Sequence, residues 1–130
     1  MKKSEMLNKE VIATDAIGTI LVGNKPVGCR LDGHTRLYLF REEEEAVELD
    51  SYEAGGATRA FVIEIDHPVT RAKAINAAEM KAYGLATALE VASFNASLAR
   101  KARNEEDVEE VAEHDEFISE VKSELDNIGI

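Results

Sequence analysis

The chain has 130 residues, 26 of them acidic and 15 basic, and carries a net charge of −11 with its three histidines neutral. This length suits a single domain with a substantial core of its own, and one cysteine excludes both an internal disulfide and a zinc site built from several cysteines. The negative charge disfavours direct contact with nucleic acid or anionic membrane, and there is no run of about 18 apolar residues that could span a bilayer.

Lys2 and Lys3 are not followed by an apolar stretch. No signal peptide is therefore expected, and the protein is expected to be cytoplasmic or otherwise intracellular. The first structural signals are strands. Val11–Ala13 is a short one, and Ile17–Val22 is rich in β-branched residues and closes on a Gly-Asn-Lys-Pro turn ending at Pro26. Pro26 fixes φ and has no N–H, which suits a turn or a sheet edge. Asp32 and Gly33 separate the segment Cys29–Leu31 from His34–Arg41, a spacing that predicts a hairpin with a type I′ turn. In the second of these segments Leu37 and Leu39 alternate with Tyr38 and Phe40, so both faces are apolar and the strand is expected to be central or covered on both sides.

Glu42 to Glu45 reads as a charged turn or strand margin. Ala46–Tyr52 alternates in part, Gly55 and Gly56 suggest another connection, and Arg59–Ile65 places Phe61, Ile63 and Ile65 on one face. After Asp66, His67 and Pro68 the period changes from two residues to about 3.6. Thr70 is a fitting N-cap. Ile75, Ala78, Ala82, Leu85, Leu89, Ala92, Ala96 and Ala99 then recur at steps of three and four, as along one continuous helix. Gly84 and the capping-box pair Thr87 and Glu90 instead favour two helices, over about 71–83 and 88–102, their alanine-rich face packing within the domain against the last helix, with oligomerisation through the same helices as the alternative.

A final helix is expected from Asn104, with Gly129 just past its end. Val108, Val111, Ile118, Val121, Leu125 and Ile128 form its apolar stripe, with Phe117 beside it. From Glu105 to Asp126 eleven acids and one base, Lys122, contribute −10 of the −11 net charge. A solvent-facing row of carboxylates is expected, containing Glu105, Glu106, Glu109, Glu113, Glu116, Glu120 and Glu124. The acids of this segment include like-charge pairs four apart, among them Glu105/Glu109, Glu106/Glu110 and Glu116/Glu120, each costing about 0.2–0.5 kcal/mol in an isolated helix. The predicted architecture is one α+β domain over 1–130. A small antiparallel sheet of four or five strands (mainly residues 10–66) precedes two or three helices packed as one layer (mainly 70–128).

Motifs for chemistry are sparse. The stretch from Gly18 to Lys25 has two glycines and a lysine but lacks the lysine–hydroxyl order of a phosphate loop. Cys29 and His34 flank the predicted hairpin without an evident oxyanion donor. His114 lies on or near the apolar stripe of the last helix and Glu110 is four residues before it, which makes these two the candidate metal ligands. Two ligands do not close a site, so no metal or other cofactor is expected. The basic run from Arg100 to Arg103 suits a helix C-terminus and could pair with the acids that follow. These features lead to an expectation of a non-catalytic protein-interaction or assembly component, with a basic protein or a second copy as partner. The alternatives are an acidic inhibitor that imitates nucleic-acid charge, and a small metal-binding protein or enzyme.

Overall fold

The computed structural model describes residues 18–22, 25–42 and 59–130. The expected strands at Val11–Ala13 and Ala46–Tyr52, the Gly55–Gly56 connection and most of the Glu42–Glu45 cluster lie outside these residues. Four strands are described: β1 (Thr19–Val22), β2 (Lys25–Leu31), β3 (His34–Glu42) and β4 (Arg59–Asp66). They form one antiparallel sheet in the order β1-β2-β3-β4. Three helices follow: α1 (Arg71–Tyr83), α2 (Ala88–Arg103) and α3 (Val108–Ile128). The α+β class and the order of sheet and helices agree with the sequence reading. No helix among the described residues is long and apolar enough to cross a membrane.

The hairpin at Asp32 and Gly33 is present, with Leu31 opposite His34, but its turn differs from the expected type. Gly33 has φ +80° while Asp32 is not in the positive-φ region. A type I′ turn needs positive φ at both positions, and positive φ at the second alone is the signature of type II. Pro26 is also placed differently. It lies inside β2 opposite Leu21, where the β1–β2 register shifts. The irregular pairing accommodates a residue with no N–H to give to the ladder.

The sheet face toward the helices carries Leu37, Leu39, Phe61, Ile63 and Ile65, as alternation predicts. Phe40 joins them, although strict alternation places it with Tyr38. The reason is local: Phe40 has φ +52°, and the β3–β4 register shifts between Leu39 and Glu42. The extra residue turns the phenyl ring to the helix side. On the opposite face Cys29, Tyr38, Ala60 and Val62 form a second buried cluster, so β3 is buried on both faces, as expected.

Helix ends follow local chemistry. Thr70 Oγ1 accepts from the Lys73 N–H at 3.2 Å. Gly84 adopts the left-handed conformation at φ +65°, and its N–H bonds to the Met80 carbonyl. Thr87 Oγ1 accepts from the Glu90 N–H at 3.1 Å, while the Glu90 carboxylate accepts from the Ala86 N–H at 2.6 Å. The Thr87 bond is half of a capping box, while Glu90 reaches the residue before the cap; with Gly84 these bonds divide the helical stretch in two. The repeat of small apolar residues does not survive the break. Ala74, Ala78 and Ala82 of α1 are buried, whereas Leu89 is 77% exposed and Ala92, Ala96 and Ala99 are exposed beside it. Val91 and Leu98 are the buried residues of α2 instead.

The third helix begins at Val108, four residues later than Asn104, which terminates α2 through a bond from its N–H to the Arg100 carbonyl. Asp107 precedes α3 with φ +44° and makes no side-chain cap. Its carboxylate lies 3.2 Å from Lys101 Nζ near the end of α2. Glu105 and Glu106 consequently belong to the connection, and their pairings with Glu109 and Glu110 are not helical neighbours.

The core joins the sheet to Ala74, Ala78 and Ala82 of α1 and to Phe117, Val121 and Leu125 of α3. The alanines let α1 lie close to the strands. Phe117 is 2% exposed, and its ring lies 6.2 Å from Phe61 and 6.3 Å from Phe40. Replacing Phe117 with alanine is expected to destabilise the fold by about 3–5 kcal/mol, measured by urea denaturation with an unchanged m-value.

Candidate functional site

The α3 sequence has two sides with opposite requirements. Of its apolar residues Phe117, Val121 and Leu125 are buried against the core, whereas Val108, expected in the same stripe, stands at the helix start and is 64% exposed. Glu109, Glu113, Glu116, Glu120 and Glu124 recur at steps of four and three, and therefore form one line along the helix. Glu109, Glu113 and Glu116 are exposed, as are Glu105 and Glu106 in the connection before α3. Glu120 and Glu124 are half-buried. Glu124 also walls an open recess of about 240 Å³ with Asn127 and Ile128 of α3, facing Val22, Val27, Tyr38 and Arg41 of the sheet.

Glu110 lies off this line. Its Oε2 is 3.2 Å from Lys101 Nζ, which also holds Asp107. Asp107 and Glu110 together keep the Lys101 ammonium above its ordinary pKa. The basic run thus divides: Lys101 clamps the α2–α3 connection, while Arg100 and Arg103 are exposed. This clamp orients the first turn of α3 and so the start of the carboxylate line.

His114 turns the other way, into the junction of the three helices. Its Nε2 lies 3.2 Å from Glu79 Oε2 of α1, with side-chain exposures of 12% and 6%. Aromatic rings surround the pair. The His114 ring is 5.7 Å from Tyr83 and 5.6 Å from Phe94, and Tyr83 lies 4.7 Å from Phe94 and 5.7 Å from Phe117. Burial, reinforced by Glu79, Glu113 and Glu110, pushes the Tyr83 hydroxyl up to about 12. Glu79 escaped the sequence reading. It sits beside Ala78 on the packed side of α1, and an acid at such a position is the signal that a buried polar partner exists.

The two candidate metal ligands are therefore engaged separately, Glu110 with Lys101 and His114 with Glu79. Among the described residues no group of three or more His, Cys, Asp or Glu side chains gathers as a ligand set. The other histidines sit at the far end of the sheet. His34 Nδ1 donates to the Asp32 carbonyl at 3.2 Å, and His67 Nε2 is 2.9 Å from Thr35 Oγ1. Cys29 is buried in β2, beside Tyr38, Ala60 and Val62. In the stretch from Gly18 to Lys25 the described residues Thr19–Val22 and Lys25 belong to the paired strands β1 and β2, and the element that follows is a strand, not the helix that a phosphate loop leads into.

Together these features define a small α+β protein with a charged helix face over a buried histidine–carboxylate pair. Comparison with protein-family models, with curated proteins and with solved structures finds no match for the chain.

Two outcomes test this site. His114→Leu leaves the buried Glu79 carboxylate without its partner and is expected to cost about 3–5 kcal/mol, whereas Glu79→Leu with His114→Leu is expected to recover most of the loss, as read by chemical denaturation. If both variants lose equally, the pair is not the source of the cost. Tyr83 supplies an alkaline test. A hydroxyl pKa raised to about 12 in the folded state contributes stability that is fully present below its unfolded pKa of about 10. That stability declines as pH rises through about 12. Phenolate absorbance of the wild type minus that of Tyr83→Phe should therefore show little ionisation of this ring at pH 10.5.

Proposed function

We propose that this chain is a non-catalytic protein-interaction or assembly component, and that α3 offers its line of carboxylates to a basic protein partner. The observation that supports the reading is charge that no described residue neutralises, on a firmly packed helix and the connection that leads into it. The carboxylates of Glu105, Glu106, Glu109, Glu116 and Glu120 accept no hydrogen bond or ion pair from the other described residues. Phe117, Val121 and Leu125 meanwhile hold the adjoining side of the helix against the core. Like charges at helical spacing repel, so a cationic surface placed over them would relieve repulsion as well as add attraction. The same face opposes close approach of a second copy of itself, which favours a partner of different composition.

Affinity capture from the source cell at two salt concentrations tests this reading. The wild type is expected to retain basic proteins at low salt and release them at high salt, because exposed charge pairs are screened. The variant Glu109→Gln/Glu116→Gln/Glu120→Gln is expected to lose those proteins without losing thermal stability. Equal retention by variant and wild type would contradict the assignment. Displacement of the partner by added duplex DNA would favour the inhibitor reading, in which the carboxylates occupy a nucleic-acid site.

A further inference from the structure

We draw no further inference here: the strongest candidate, the outward face of α2 formed by Leu89, Ala92, Ala96 and Ala99, is an unpartnered stripe of mostly small residues, and nothing in the structure shows what covers it.

Discussion

The ring of Phe117 meets Phe40 and Phe61 from the sheet and Tyr83 from α1, with centroids 5.7–6.3 Å apart. These contacts determine how α3 is rotated about its own axis. A helix turned by one residue would carry its apolar stripe away from the sheet and bring carboxylates toward it, where desolvation opposes them. With Phe117 seated, Val121 and Leu125 follow onto the same side at four-residue steps. Glu109, Glu113 and Glu116 are left in water by the same rotation. The acidity of the surface and the packing of the core are thus two consequences of one constraint.

The rotation also explains the polar contact inside the helical layer. His114 lies three residues before Phe117, so it shares the packed side of α3 and meets Glu79. Both side chains are largely buried, and each gives the other a polar partner where water is scarce. The neighbouring Tyr83, Phe94 and Phe117 rings fill the space around them. Such a pair contributes little net stability over an apolar replacement, but it penalises arrangements that leave one member buried alone. Lys101 performs a related task at the solvent boundary, where its contacts with Asp107 and Glu110 join the end of α2 to the start of α3.

How much of this was legible in the sequence depended on the range of the interaction involved. Thr70, Gly84, Thr87 and Gly129 act on backbone groups within a few residues, and the helix limits near them were readable. The apolar faces of β3 and β4 were readable from alternation as far as Leu39. Phe40 was not, because one irregular residue in the pairing reverses the side that follows. The start of α3 was displaced because Asn104 closes α2 through its N–H bond to the Arg100 carbonyl instead of opening the next helix, and both roles suit an asparagine. The Glu79–His114 pair spans 35 residues, and only the stacking of α1 on α3 brings its members together. The carboxylate line itself was visible as spacing; its function was not, since a solvated face and a docking face require the same residues.

Carboxyl footprinting is the most direct measurement of the central claim, that the packing of Phe117 buries one side of α3 and leaves Glu109, Glu113 and Glu116 outside. The folded protein would be treated with a carbodiimide and glycine ethyl ester, and modified residues located by mass spectrometry. The account predicts fast labelling of Glu109 and Glu116 and protection of Glu79, with the protection lost in urea. Labelling of Glu79 in the folded protein as fast as that of Glu116 would contradict it.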